Sequence, residues 1–282
     1  MTTNRNPQAA QMADESMLRN LAAQARAIWP QENALFDRYT LAPRACIADI
    51  GCGSGEITTR LAQRFPNAEV IGVDVLEGPL AYARERAVGL GARVRFELGD
   101  AFELAFADGE LDLVVCRHLT QAVPEPERIL AELWRVCKPG GWLHVLSEDY
   151  GMLHFPARAL DPDRLWRDGV GALARATSTD ERIGRRTWSI LKRLGVRELS
   201  VDYVVVDTVR VERETFAAII GAWRDGYWRE IEHHAGVGHD EARALFDCAL
   251  EAIADPDAYA VWHVPVVSGR RPTEPVIGLR PQ

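Results

Sequence analysis

Ala45 to Gly55, ACIADIGCGSG, joins a short apolar run to three glycines spaced two apart. Cys46, Ile47, Ala48 and Ile50 suit a strand covered on both faces, and Gly51, Gly53 and Gly55 let the following turn approach a ligand with backbone alone. A helix is expected next. Ile57, Leu61 and Phe65 recur at helical spacing, and Glu56 in the first turn favours that helix terminus.

Glu56 bears on which nucleotide the loop prefers. A dinucleotide fingerprint needs G-x-G-x-x-G and a helix N-terminus open to pyrophosphate, and here the place of the third glycine is taken by Glu56. Its carboxylate would repel a pyrophosphate, and more strongly where water is scarce. S-adenosylmethionine escapes that penalty: it keeps the adenosine, carries an amino acid in place of phosphates, and has a cationic sulfonium that tolerates nearby acids.

Four further segments follow in order: VIGVDV (70–75), ELGDAF (97–102), LDLVVCRHL (111–119) and KPGGWLHVLSED (138–149). With DIGCGSG as the first, the series resembles the five motifs of the class I S-adenosylmethionine-dependent methyltransferases. The resemblance covers roughly residues 41–148 and is closest to the small-molecule branch typified by the quinone-biosynthesis (type 11) enzymes. It implies S-adenosyl-L-methionine as cofactor, a small-molecule acceptor, and a loop of Gly51, Cys52, Gly53 and Gly55 against the cofactor.

Composition agrees with such a reading and excludes others. A chain of 282 residues with 47% hydrophobic content is ample for a sizeable core. The formal net charge of -8 argues against nucleic acid or an anionic membrane as main partner. The N-terminus, MTTNRNPQ, lacks the apolar stretch of a signal peptide, no run approaches a membrane span, and a cytoplasmic location is expected. Cysteines 46, 52, 116, 137 and 248 form no CxxC pair and read as reduced core residues. No metal site is indicated, since His233 and His234 are adjacent on a helix and diverge. The oligomeric state is left open.

In chain order, residues 14–39 read as one or two amphipathic helices interrupted by Pro30, which either fold over the cofactor or pack on the sheet edge. From Ala45 onward strands and helices alternate, giving an α/β fold: a seven-stranded Rossmann-like sheet with helices on both faces, an N-terminal helical extension and a helical insertion before the last strand. Asp74, at the end of the strand Val70–Val73, is placed to accept from both ribose hydroxyls or to cap the next helix, with Val75 and Leu76 offering apolar surface to the adenine. The resemblance assigns the adenine wall to Asp100, Ala101 and Phe102 after the strand Val94–Leu98; alone, GDAF would be an ordinary turn with a capping aspartate.

Arg117 and His118 end the strand Leu111–Cys116, beside the expected place of methyl transfer. Arg117 is counted with the cofactor residues. His118 is either a general base or part of the pocket wall. After the fifth strand, Trp142–Leu146, the cluster Glu148, Asp149 and Tyr150, with His154 beyond, supplies groups that could orient an acceptor and remove a proton, or simply cap an irregular segment. Asp149 and Tyr150 join His118 as the catalytic candidates.

Beyond Tyr150 the resemblance weakens. Helices are expected at 158–176 and 179–194, strands at Val201–Val206 and Tyr259–Val267, and between them a helical segment at 212–254 carrying Trp223, Tyr227, Trp228, His233 and His234. The organisation is then an N-terminal extension (1–40), a methyltransferase domain (41–211 and 255–282) and an insertion (212–254) expected to cover the substrate. The expected reaction is in-line displacement of the methyl group onto an oxygen, nitrogen or carbon atom. A repurposed or non-catalytic cofactor-binding protein is the alternative, and an NAD-dependent oxidoreductase is disfavoured by Glu56.

Overall fold

The computed structural model describes residues 5–235 and 238–274. Its frame is a parallel core of five strands: β1 (Cys46–Ile50), β2 (Glu69–Asp74), β3 (Val94–Leu98), β4 (Leu111–Arg117) and β5 (Cys137–Leu146). They lie in the order β3-β2-β1-β4-β5, so the chain reverses its direction of travel between β1 and β4. The crevice outside the carboxyl ends of those two strands is where open α/β sheets bind ligands. The strand segments Ile47 to Ile50 and Leu113 to Cys116, apolar apart from Asp49, are buried throughout because helices cover both faces.

Helices α1 (Ala9–Met12) and α2 (Glu15–Glu32) precede the sheet, α3 (Glu56–Arg64), α4 (Glu77–Ala87) and α5 (Pro126–Val136) connect its strands, and α6 (Gly171–Thr177) and α7 (Gly184–Arg193) follow β5. The two-residue strand β6 (Leu153–His154) lies between β5 and α6. The sheet is completed by β7 (Arg197–Asp207) and β8 (Val261–Arg270), with α8 (Arg213–Ala235) and α9 (His239–Ala254) between them. Strand β8 runs antiparallel to β5, pairing Val145 with Val267, and antiparallel to β7, pairing Val204 with Val264. The Rossmann-like sheet of seven long strands expected from the sequence is therefore present, with β6 pairing Leu153 to Trp262 as a short addition.

Three local expectations differ from what is observed. Pro30 does not interrupt α2; the helix runs through to Glu32 and tightens into a 3₁₀ stretch over Asn33–Arg38. Packing of Ala23, Ala27 and Ile28 into the core outweighs the one backbone bond a proline removes near a helix end. The helix expected at 158–176 begins only at Leu165, as a π-helical turn leading into α6. Side chains compete for the backbone before it: Asp163 accepts from the Phe155 amide at 2.9 Å and Asp161 from the Asp163 amide at 3.1 Å. The helix expected at 179–194 is shortened to α7 for the same reason, Asp180 accepting from the Arg182 amide at 3.0 Å.

Helices α8 and α9 pack into the core. Phe216, Trp223 and Phe246 from them share one buried cluster with Ala27 and Ile28 of α2, Trp166, and Trp262 of β8. No helix among the described residues is long and apolar enough to cross a membrane.

The glycine loop and β3 interlock across β2. A Cβ on Gly72 of β2 would sit 2.6 Å from the Phe96 ring and 2.9 Å from Cys52 Sγ. Gly72→Ala is expected to lower unfolding free energy by about 1–3 kcal/mol, the usual cost of an overpacked core methyl. Urea denaturation checks this, and an unchanged midpoint would contradict it.

Candidate functional site

Three adjoining recesses line the carboxyl ends of β1, β2 and β4. The first is bounded by Gly51, Asp74, Val75 and the segment Gly99 to Phe102. Gly53 bends with φ +52°, and its amide donates to Asp74 Oδ2 at 2.8 Å, while the Leu76 amide donates to Oδ1 at 2.9 Å. A Cβ on Gly53 would lie 2.7 Å from Leu21 Cδ1 of α2 on a backbone held at positive φ, which favours glycine there. Burial raises the Asp74 carboxyl, opposed by the Leu76 and Gly53 amides. Each Asp74 oxygen retains a lone pair beyond its amide bond, as a receptor for a vicinal diol requires.

Val75 is 48% exposed and offers an open apolar ledge beside Asp74. Across from it, Asp100 caps its own turn by accepting from the Phe102 amide at 2.9 Å and pairs with Arg5 at 3.0 Å. That pair is exposed on both sides and holds little free energy. Ala101 and Phe102 complete the wall, with the Arg5 and Arg128 guanidiniums each 5.4 Å from the Phe102 ring centroid. Cys52 is buried against the loop, and its thiol is pushed well above the usual range by burial and then by Asp49 and Asp74. It is a wall residue and not a nucleophile.

The second recess continues past Gly51 to Gln24, Asp49, Ser54, Arg117 and His118. Arg117 Nε donates to Glu32 Oε1 at 2.8 Å, and the same oxygen meets His144 Nε2 at 2.9 Å. Burial would raise the Glu32 carboxyl, but Arg117 and then His144 outweigh it and hold it at about 2. Tyr39 extends the chain to His144 Nδ1 at 2.6 Å. Arg117 Nη2 is buried with no partner among the described residues, which equips it to receive an anionic ligand group.

The charge of Glu56 is not bare, as the sequence had suggested. It pairs with Arg86, and with Arg60 at 3.6 Å. Repulsion of a diphosphate by Glu56 alone is therefore weakened. Asp49 borders the recess as Glu56 does, and is fully buried, accepting from Thr58 Oγ1 at 2.7 Å. Burial pushes its carboxyl up to about 6.

The third recess is an apolar cavity between α2, the β4 and β5 ends, and the helices after β5. His118 lies between it and the second recess, bordering both. Its backbone is left-handed at φ +54°, fixed by its amide donating to Leu146 O at 3.0 Å and by Gln121 Nε2 donating to its carbonyl at 2.8 Å. Such a conformation persists only where surroundings over-determine it. His118 Nδ1 is hydrogen-bonded to Glu148 Oε1, and both residues are buried. His118 Nε2 and Glu148 Oε2 have no partner among the described residues.

The structure does not bring the other two catalytic candidates together in the same way. Tyr150 borders the cavity, its ring stacked on Trp166 at 5.6 Å and edge-on to Trp223 at 5.6 Å, with its hydroxyl pushed up by burial and then by Glu148. Asp149 is fully buried but faces away, held by Arg185 at 2.5 and 2.7 Å and by the Gly151 amide at 3.0 Å. His154 is exposed and pairs with Asp163 at 3.1 Å. Gln24, Glu32 and Asp49 carry no role in the sequence reading, and Glu148 appears there only within the cluster with Asp149 and Tyr150. The acid before the glycine loop was a usable signal for Asp49; the others depend on tertiary contact. Among the described residues no cluster of histidine, cysteine or carboxylate side chains is arranged to hold a metal.

Residues 48–145 match the family model described as a methyltransferase domain. Over 139 residues the chain is 36% identical to the trans-aconitate 2-methyltransferase of Variovorax paradoxus, covering 49% of this chain and 52% of that one. Over 101 residues it is 41% identical to the demethylmenaquinone methyltransferase of Thermus thermophilus, covering 36% and 46%. The chain thus spans about half the length of the curated relatives it matches. Among solved structures, the phosphoethanolamine N-methyltransferase 2 of Haemonchus contortus aligns with a TM-score of 0.58 at 19% identity, over 91% of this chain and 56% of that one, which establishes the shared fold.

Asp49 provides a test independent of any ligand. With the folded carboxyl at about 6 against an ordinary 3.8, the native state holds the proton more tightly, so stability is full below pH 3.8 and falls as pH rises through 6. That gap corresponds to about 3 kcal/mol. Asp49→Asn is expected to raise unfolding free energy by about 1–3 kcal/mol at pH 8 and by little at pH 4. Urea titrations at the two pH values check it, and a variant no more stable than wild type at pH 8 would contradict it.

Proposed function

Residues 48–145 are a class I S-adenosylmethionine-dependent methyltransferase domain, and from that premise we propose that the chain moves a methyl group onto a small-molecule acceptor held in the apolar cavity. One observation carries the proposal: the two polar recesses and the cavity adjoin, and His118 stands at the junction of the last two.

The residues present fit the cofactor. Asp74 would accept from the ribose hydroxyls, Val75 and Phe102 with Ala101 would flank the adenine, and Gly51 and Cys52 border the recesses that would hold the molecule, while Gly53 and Gly55 shape the turn and face Leu21 and Phe96 instead. Arg117, oriented by Glu32, offers its free Nη2 to the carboxylate of the amino-acid end. Asp49 supplies a buried negative charge for the cationic end. S-adenosylmethionine, when bound, supplies a methyl group already activated by its sulfonium. The protein's main contribution is then alignment, which can lower a barrier by about 7–11 kcal/mol.

His118 adds proton transfer. With Nδ1–H given to Glu148, Nε2 presents a lone pair to the cavity and takes the proton of an acceptor hydroxyl or amine. Glu148 then stabilises the imidazolium. Tyr150 contributes a wall of the cavity through its ring, and Asp149 holds the backbone of the β5 end through Arg185 and the Gly151 amide. Helices α8 and α9, together with α2 and α6, cover the acceptor.

Incubating the full chain with methyl-labelled S-adenosylmethionine and a fractionated metabolite pool is expected to label an acceptor; binding of S-adenosylhomocysteine without any transfer would support a repurposed protein instead. Asp74→Ala is expected to weaken S-adenosylhomocysteine binding by calorimetry while the protein stays folded, and unchanged affinity would refute the ribose role. His118→Asn is expected to lower kcat by about 10²- to 10⁴-fold with little change in cofactor KM. An unchanged kcat would leave His118 as wall alone.

A further inference from the structure

Resting on the methyltransferase reading, we propose that the cavity is selective by charge: it accepts molecules whose polar groups donate hydrogen bonds and rejects those bearing a carboxylate or phosphate. The fully buried polar atoms that line it without a partner are nearly all acceptors. Gln121 Nε2 is committed to the His118 carbonyl, which leaves Gln121 Oε1 as its free atom. Glu148 Oε2 is free, and in the neutral tautomer that donates Nδ1–H to Glu148 the His118 Nε2 lone pair is free as well. All three side chains are at least nine-tenths buried, so water does not readily satisfy them. Trp166 Nε1 is the one donor among the fully buried unpaired atoms of the described lining residues.

The charges point the same way. Two carboxylates, Glu148 and Glu181, border the cavity, and no lysine or arginine does among the described lining residues. Of the nearby guanidiniums, Arg185 pairs with Asp149, Arg182 stands 3.7 Å from Glu181, and Arg117 faces the cofactor side, where it pairs with Glu32. An anion entering the cavity would leave water without a counter-charge and face the lone pairs of Gln121 and Glu148. A hydroxyl or amine would instead satisfy those lone pairs, while Trp166, Trp223 and Tyr150 cover an apolar or aromatic body. A site built to pair donor groups discriminates strongly against ligands that lack them.

The test compares two ligands with the same ring system. The full chain saturated with S-adenosylhomocysteine is titrated calorimetrically with 2-naphthol and with 2-naphthoate at pH 7.5. The expected result is 2-naphthol binding tighter by about tenfold or more. Ala174→Trp, which fills the cavity from α6 away from both cofactor recesses, is expected to abolish 2-naphthol binding and keep S-adenosylhomocysteine binding. Equal or tighter binding of 2-naphthoate overturns the proposal, as does absence of 2-naphthol binding to wild type or its persistence in the folded variant. The wild-type pair of titrations decides the matter even if the variant does not fold. Failure of wild type to bind S-adenosylhomocysteine brings down the methyltransferase reading and this proposal with it, whereas the naphthoate result brings down this proposal alone.

Discussion

The bond from the Gly53 amide to the Asp74 carboxylate, at 2.8 Å, ties the turn after β1 to the end of β2 and fixes the floor of the site. It requires a loop that bends with positive φ at Gly51, Gly53 and Gly55 and leaves no room for side chains beneath Leu21 and beside Phe96. Once that floor is set, α2 lies across it and Gly51 borders the two polar recesses. The switch point of the sheet then brings Arg117 and His118 from β4 to the same edge.

The electrostatics of the site are built from buried groups that compensate one another. Glu32 keeps its charge against burial because Arg117 and His144 share it, and through Arg117 it links the N-terminal helix to the cofactor side. Removing one partner from such a buried set costs about 3–5 kcal/mol. Asp49 is the opposite case: burial raises it, and no cation in direct contact answers it. A carboxylate maintained at a cost to stability beside a ligand recess is the pattern expected where a cationic ligand group completes the arrangement.

Much of the frame was legible in the sequence because its signals are local. The apolar runs of β1, β2, β3 and β4, the glycine spacing and the position of Asp74 at a strand end follow from period and turn chemistry alone. What escaped was long-range. Residues 118 and 148 pair from different strands, Glu32 reaches Arg117 across 85 positions, and Arg86 neutralises Glu56 from the next helix. Pro30 and the stretch before Leu165 misled for the same reason, since core packing in one case and aspartate turns in the other outweighed helix periodicity.

With Glu56 paired, exclusion of a dinucleotide falls to the shape of the loop and the buried acid Asp49, with Arg117 the one guanidinium bordering the second recess among the described residues. The most direct measurement is a pair of calorimetric titrations of the full chain, one with S-adenosylhomocysteine and one with NADH, in the same buffer. Saturable binding of S-adenosylhomocysteine with none of NADH is the predicted result. Saturable binding of NADH with none of S-adenosylhomocysteine would contradict the account.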